Sequence, residues 1–138
     1  SFGTCGSLSD SFSMGEVVTT KVVCNEKGES LSATSFEGVR KARIITVSEV
    51  VNTIEKRKKF SHLADVCEME AMGVGLATEK LHFSVVKVIS DYAGRESDSI
   101  LRGSFLTKPQ RIAKFYMRAT KLCNQKIKPV VSCFIEGL

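Results

Sequence analysis

The sequence predicts an α/β sandwich. Segments rich in β-branched residues alternate with segments of helical periodicity along the chain. The 138 residues, 43% of them hydrophobic, suffice for one compact core. No apolar run approaches the roughly 18 to 20 residues of a membrane span. We therefore expect one soluble, cytoplasmic domain with no membrane partner.

The first half of the chain predicts two strands and a helix. Residues 16–24, EVVTTKVVC, are rich in β-branched residues and predict a strand, and the polar residues 25–35 predict an exposed loop. The short apolar run 42–47, ARIITV, predicts a buried strand. Ser48 stands where a helix N-cap is expected, and a helix to about Phe60 follows. Its apolar stripe comprises Val50, Val51 and Ile54.

The second half continues the alternation. Met69 to Lys80 has a helical pattern whose stripe passes through Met72 and Leu76, and Phe83 to Ile89 is the strongest strand. Pro109 belongs in the first turn of a last long helix. The apolar stripe of this helix comprises Ile112, Phe115, Tyr116, Ala119, Leu122 and Cys123. The tail from Pro129 has no assignment.

Cysteine and charge patterns exclude several classes of site. The five cysteines include no C-x-x-C pair, and no histidine cluster accompanies them, so we expect no metal, no cofactor and a reducing compartment. Cys5 is conceivable as a nucleophile, but a buried structural cysteine is the more usual case. The net charge of +5 comes mainly from residues 40–43 and 56–59. Aromatic residues are hardly interleaved there, so solvated faces are favoured over a nucleic-acid partner.

Three carboxylates interrupt the apolar stretch 66–91: Glu68, Glu70 and Asp91. Glu70 opens the predicted helix and Asp91 follows the predicted strand, which places both at edges where an α/β sheet binds ligands. The alternatives are that Glu70 complements the helix dipole and that Asp91 caps a turn. Spacing alone leaves both interpretations open.

Two motifs carry a resemblance to a known superfamily. The stretch CEMEAMGVGLATEKLHFSVVKVISD resembles the signature of purine nucleoside phosphorylases and nucleosidases, especially 5′-methylthioadenosine/S-adenosylhomocysteine nucleosidases and futalosine hydrolases. In that family a Met-Glu pair begins a small-residue helix, and a strand about twenty residues later ends in Ser-Asp, here Met69-Glu70 and Ser90-Asp91. The stretch FGTCGSLSDSFSMGEVV resembles the family's glycine-rich loop and the strand that follows it.

The resemblance implies a three-layer α/β/α sandwich with a central mixed sheet, and an enzyme that hydrolyses the N-glycosidic bond of a purine nucleoside. Asp91, held by Ser90, would protonate N7 of the leaving base, and Glu70 would bind the ribose hydroxyls. Met69 would pack against the sugar. The further substrate-binding positions implied are Gly3, Thr4, Cys5, Val51 and Lys87.

Departures from the family pattern leave alternatives open. Lys87 stands where the family usually has an arginine, and a lysine cannot offer a bidentate fork to phosphate, so water is favoured as the nucleophile. Residues 46–51 lack the aromatic that stacks on the base, and the stretch between Cys24 and Ala42 is short. A phosphorylase and an inactive nucleoside-binding or storage-like member therefore remain as alternatives.

The resemblance also predicts how the domain is completed. Residues 1–138 match a single nucleosidase-like domain whose N-terminal strands are absent, so we expect an unpaired edge and an uncovered apolar surface. We expect the active species to contain an upstream segment and to be a homodimer that binds a small-molecule nucleoside.

Overall fold

The computed structural model describes residues 1–78, 82–95 and 108–137, which form one mixed sheet of eight strands with helices around it. The strand order is β4-β3-β6-β7-β1-β8-β2-β5. The strands are β1 Phe2–Ser7, β2 Val17–Thr19, β3 Val22–Asn25, β4 Ser30–Ser32, β5 Arg40–Lys41, β6 Ile44–Thr46, β7 Val66–Glu68 and β8 Val86–Tyr92.

Parallel and antiparallel pairs both occur. β1 lies between β7, to which it is antiparallel, and β8, to which it is parallel. Cys5 is opposite Ile89 but Gly6 is opposite Asp91, so Ser90 is an extra residue in β8. This β-bulge places Ser90 and Asp91 side by side, and Ser90 has no partner residue in β1.

The sheet is strongly curled. β2 and β3 are five places apart in the strand order, a separation of about 24 Å in a flat sheet with strands about 4.8 Å apart. Only Thr20 and Lys21 connect these strands, and such a link spans roughly 10 Å at full extension. The two strands can meet only if the sheet bends back on itself.

The core occupies both faces of this sheet. On β6, Ile44 packs in a cluster with Met72, whereas its neighbour Ile45 packs in another cluster with Phe60. Val66 and Cys67 on β7 divide between the same two clusters. A third cluster places Ile127 among residues that include Val86 and Val88 of β8. The prediction of an α/β sandwich with a central mixed sheet is confirmed.

Within the described residues, four helices and one π-helical turn accompany the sheet. They are α1 Ile54–Ser61, α2 Ala71–Ala77, α3 Lys108–Leu122, the π-helical turn Cys123–Ile127 and α4 Lys128–Glu136. None of the helices in the described ranges combines the length and apolarity that crossing a bilayer requires. Pro109 lies in the first turn of α3 as predicted, and the unassigned tail from Pro129 forms most of α4.

Several predicted elements differ from the structure. The predicted strand 16–24 is two strands, because the chain turns at Thr20 and each half joins a different part of the sheet. The loop 25–35 contains β4, which forms a hairpin with β3. The glycine-rich segment from Gly3 to Gly6, predicted as a loop, is most of the central strand β1.

The helix predicted from Ser48 begins later. Ser48 donates its hydroxyl proton to Glu26 and is not a cap. Thr53 caps α1 instead, accepting from the amide of Lys56. Val50 and Val51 therefore precede the helix, and they are left at the cavity described below.

The helix predicted over Met69–Lys80 is shorter, and Lys80 lies outside the described residues. Leu76, predicted on its apolar stripe, is exposed, whereas Met72 is buried. β8 begins and ends three residues later than the predicted strand Phe83–Ile89. Ser90 and Asp91 consequently lie inside a strand.

Candidate active site

A cavity of about 620 Å³ opens beside the central strands. Its lining comes from β1, the segment 47–51, β7 and the start of α2, β8, and α3 with the π-helical turn. All nine residues that the sequence predicted for the site line this one cavity. They are Gly3, Thr4, Cys5, Val51, Met69, Glu70, Lys87, Ser90 and Asp91.

Asp91 and Ser90 form a polar pair on β8. The Ser90 hydroxyl lies 2.7 Å from Oδ1 of Asp91 and 3.2 Å from the carbonyl oxygen of Cys5. The bulge permits this pairing because it places two adjacent side chains opposite the single residue Gly6. A Cβ atom on Gly6 would lie 3.3 Å from Oδ2 of Asp91, so the missing side chain gives the carboxylate its space. Asp91 lies within β8.

Glu70 occupies the N-cap position of α2, but its side chain makes no capping hydrogen bond. Its carboxylate is 70% exposed and reaches over the cavity. Met69, half exposed, lines the wall beside it. β1 passes both acids. A Cβ atom on Gly3 would lie 4.0 Å from Oε2 of Glu70, just as one on Gly6 would lie near Asp91. The two acids that the sequence singled out thus share one cavity.

Glu68 and Lys87 form a buried ion pair in the cavity wall. Nζ of Lys87 lies 2.9 Å from Oε2 of Glu68, and each side chain is only 1% exposed. The same Nζ lies 3.8 Å from Oε2 of Glu70. The sequence reasoning passed over Glu68. A signal existed: a lone acid and a lone base, each within an otherwise apolar strand, are expected to pair when buried.

Three cysteines line the cavity, Cys5, Cys67 and Cys123, and the first two are buried. Burial, followed by the charges of Asp91 and Glu68, raises the pKa of Cys67 to about 12. Burial, followed by the neighbouring Cys67, raises the pKa of Cys5 well above its ordinary value. Both are protonated at neutral pH, and a thiol nucleophile is not favoured. All five cysteines are free.

The aromatic side chains of the wall do not come from residues 46–51. The segment contributes Val47, Val50 and Val51, whereas α3 contributes Phe115 and Tyr116. The first strand adds Phe2. Phe2 and Tyr116 are 64% and 65% exposed, so their rings are accessible to a ligand. Sequence reasoning did not associate Phe2 or the stripe of α3 with the site, because only the fold brings them to residues 66–91.

Within the described ranges, no group of three or more histidine, cysteine, aspartate or glutamate residues is arranged to hold a metal ion. The polar groups of the lining include the carboxylates of Glu70 and Asp91, the Ser90 hydroxyl beside Asp91, and the buried ammonium of Lys87 near Glu70. Such a set can bind vicinal hydroxyls, transfer a proton and favour a cationic intermediate.

The fold is similar to those of solved nucleosidases. An MTAN from Chlamydia trachomatis has a TM-score of 0.63 at 20% sequence identity, over 96% of this chain and 62% of that chain. The native futalosine hydrolase of Helicobacter pylori strain 26695 has a TM-score of 0.67 at 14% identity, over 94% of this chain and 65% of that chain. At these identities the likeness shows the fold alone.

Ligands accompany some of these structures. The C. trachomatis protein has been solved bound to adenine, and a single-residue variant of it has been solved bound to MTA. The 5′-methylthioadenosine/S-adenosylhomocysteine nucleosidase of H. pylori was solved with butyl-thio-DADMe-Immucillin-A, and it matches with a TM-score of 0.62 at 13% identity, over 92% of this chain. The present chain spans 62% to 66% of the length of these three proteins. No family model matches the sequence, and no curated protein sequence matches it.

Proposed function

We propose that the protein is an N-ribosyl hydrolase that cleaves the glycosidic bond of a purine nucleoside with water. The observation that carries the proposal is the placement of Glu70 and of the Ser90–Asp91 pair at one cavity, on a fold shared with nucleosidases. The substrates proposed are methylthioadenosine, adenosylhomocysteine or futalosine.

Glycosidic cleavage builds positive charge on the ribose and negative charge on the departing purine. In the proposed mechanism Asp91, hydrogen-bonded by Ser90, delivers a proton to N7 of the purine, so the base leaves as a neutral molecule. Glu70 accepts hydrogen bonds from the ribose 2′- and 3′-hydroxyls, and its negative charge favours the cationic sugar. Water adds to C1′ and releases one proton to bulk water, and Asp91 takes one proton back from bulk water, so the hydrolysis consumes no net proton.

Lys87 supports water over phosphate as the nucleophile. Its ammonium is buried against Glu68, so its positive charge is already balanced. A phosphate dianion at this wall would face the carboxylates of Glu68 and Glu70 with one lysine between them. Charge therefore disfavours a phosphorylase at this site.

The first test is an assay of the full-length protein with the three nucleosides, with and without inorganic phosphate. We expect release of the free purine, a free sugar product and no dependence on phosphate. A sugar 1-phosphate product would instead indicate a phosphorylase. Saturable nucleoside binding without any product would favour the inactive binding protein.

The Asp91→Asn variant tests the proton donor. The amide cannot donate the proton that the purine needs, so we expect kcat to fall by about 10² or more while the far-UV circular dichroism is unchanged. Retention of more than about a tenth of the activity would exclude Asp91 as a general acid of that strength.

Assembly and location complete the proposal. We propose a homodimer, supported by exposed apolar side chains on the C-terminal helices, which are Ile112, Phe115, Tyr116, Met117, Phe134 and Ile135. A cytoplasmic location is supported by five free cysteines. Light scattering coupled to size-exclusion chromatography of the full-length protein tests the dimer, and a monomer at micromolar concentration would contradict it.

A further inference from the structure

Glu68 is a buried charged group that the proposed reaction does not use. Its Oε2 atom accepts the backbone N–H groups of Glu70 at 3.0 Å and Ala71 at 2.8 Å, and it also contacts Nζ of Lys87. Oε1 accepts the hydroxyl proton of Thr46. Both oxygens of Glu68 are therefore engaged by groups of the protein itself.

Glu68 and Thr46 together supply acceptors for the first amides of α2. The first amides of a helix need acceptors, and the side chain of the N-cap residue usually supplies one for the second or third residue. Here the side chain of the N-cap residue Glu70 makes no capping bond; Glu68 accepts the amides of Glu70 and Ala71, and Thr46 accepts the amide of Met72. Glu70 is thereby left to extend over the cavity.

The same carboxylate restrains Lys87. An ammonium that is 1% exposed needs a counter-ion, and Glu68 provides it at 2.9 Å. Glu70 is the other carboxylate within 4 Å of Nζ among the described residues, and its separation of 3.8 Å is too long for a hydrogen bond. Lys87 therefore places a positive charge near Glu70 but forms no hydrogen bond with its carboxylate.

We infer that Glu68 is a positioning residue that acts through Glu70. By capping α2 and retaining Lys87, it keeps the Glu70 carboxylate turned to the cavity and available to ribose hydroxyls. Thr46 supports the arrangement, because its hydroxyl donates to Glu68 and accepts the amide of Met72. The inference rests on the proposed function in one respect, which is that Glu70 binds ribose. The geometry of Glu68, Glu70 and Lys87 does not depend on that proposal.

The test is Glu68→Gln in the full-length protein. Glutamine has nearly the same shape and can still accept the two amides, but it carries no charge. Lys87 then lacks its counter-ion, and we expect its ammonium to bind Glu70 directly and withdraw it from the sugar. Misplacement of such a group costs on the order of a hundredfold in kcat/KM for a riboside. A 2′-deoxyriboside, which lacks one of the hydroxyls, should lose clearly less.

The matched control is Glu37→Gln, the same change at an exposed carboxylate that does not line the cavity. It should alter neither activity nor the preference between the two sugars. A double-mutant cycle with Glu70→Gln shows whether Glu68 acts through Glu70. Glu68→Gln/Glu70→Gln should then be no less active than Glu70→Gln alone. Additive losses, or equal losses on both sugars in a folded Glu68→Gln protein, would overturn the inference.

Thr46 provides a milder variant if Glu68→Gln does not fold. Thr46→Val removes the hydroxyl and should shift the sugar preference in the same direction, whereas Thr46→Ser keeps it and should behave as the wild type. Equal sugar preference in these two variants would contradict the inference.

Crystal structures of the wild type and Glu68→Gln separate the positioning role from the proposed function. The distance between Nζ of Lys87 and Glu70 should close from 3.8 Å to about 2.8 Å in the variant. An unchanged distance would refute the positioning role. If the wild-type protein cleaves no purine nucleoside, the proposed function is wrong, and this measurement still decides the geometry.

Discussion

Asp91 depends on a neighbour that has no side chain. A Cβ atom on Gly6 would lie 3.0 Å from Cβ of Ala93, 3.3 Å from Oδ2 of Asp91 and 3.4 Å from Sγ of Cys67. The first two distances are tighter than ordinary van der Waals contact, so β8 or the carboxylate must move if a methyl group is added. Gly6 therefore affects the site by leaving room for the Asp91 carboxylate, and it takes no part in the chemistry.

We predict that Gly6→Ala lowers kcat/KM on the order of a hundredfold, because Asp91 is displaced. Overpacking should also lower the free energy of unfolding by about 1 to 3 kcal/mol. The control is Gly73→Ala on the exposed face of α2, where an added Cβ meets nothing within 4 Å. That variant should be equally active and up to about 1 kcal/mol more stable. Wild-type values for Gly6→Ala in both assays would contradict the prediction.

Thiol reactivity provides a second prediction at the residue scale. With its pKa raised to about 12 by burial and by Asp91 and Glu68, Cys67 should resist iodoacetamide at pH 8, and the buried Cys5 should behave likewise. The exposed Cys133 should be alkylated first. Peptide mass spectrometry before and after unfolding in urea distinguishes the sites. Rapid native labelling of Cys67 would show that its environment is more open than the structure indicates.

Sequence patterns predicted the side chains that line the cavity better than the side chains that hold them in place. Glu70 and the Ser90–Asp91 pair belong to the motifs that carry the family resemblance, so their place at the cavity could be predicted from the chain alone. The partnership of Glu68 with Lys87 joins strands nineteen residues apart in sequence, and the space at Gly6 is defined by Ala93 and Cys67. Such relations arise only after the strands have paired.

At the scale of elements, the end of β8 and the start of α1 approach each other closely. Gly94 has a φ of +76°, and a Cβ atom there would lie 2.4 Å from the carbonyl oxygen of Thr53. The Gly94 amide also donates to the carbonyl of Val51. Arg57 of α1 strengthens the junction by donating to the carbonyl oxygens of Ser7 and Ala93, at the carboxyl ends of β1 and β8. This junction fixes the wall formed by Val51.

We predict that Gly94→Ala destabilises the protein by more than Gly28→Ala. Gly28 has a similar φ of +82°, but nothing lies within 4 Å of its added Cβ. Gly28→Ala should therefore lower the free energy of unfolding only by the cost of placing alanine in the left-handed conformation, about 1 to 2 kcal/mol. Gly94→Ala adds a backbone clash, and urea unfolding of both variants measures the difference. Equal losses would show that α1 can move away from β8 without cost.

The element predictions failed where tertiary contacts outweighed local patterns. Ser48 has the chemistry of a cap, but its hydroxyl is engaged by Glu26, and Thr53 takes the role. β-branched residues stand on both sides of Lys21, so the local pattern favours one continuous strand and does not mark the turn between Thr20 and Lys21. That turn follows from the curl of the sheet, which brings β2 and β3 together.

At the scale of the molecule, acid should weaken the fold. Burial alone would raise the pKa of Asp65, but hydrogen bonds from the side chain and backbone of Arg43 lower it below the ordinary 3.8. The pKa of Glu26 is also lowered, first by the hydroxyl of Ser48. A carboxylate whose pKa is lower in the folded state stabilises that state above its unfolded pKa and loses this contribution as pH falls.

We predict that the free energy of unfolding decreases from about pH 5.5 to pH 3 and that Asp65→Asn flattens this decrease. The variant should be less stable than the wild type at pH 7, because the ion pair with Arg43 is lost. Their difference should shrink as the pH falls through 3.8, the ordinary pKa of the aspartate. Denaturation curves at each pH provide the measurement, and parallel pH profiles would contradict the assignment.

The position of β1 has a consequence for synthesis on the ribosome. β1 comes first among the described strands, yet its two neighbours are β7 and β8, which end at Glu68 and Tyr92. At about 5 to 20 residues per second, the nascent chain carries β1 without these two neighbours for several seconds. The centre of the sheet therefore cannot assemble cotranslationally from its N-terminal part alone, and Phe2–Ser7 is an exposed strand that chaperones can bind during that interval.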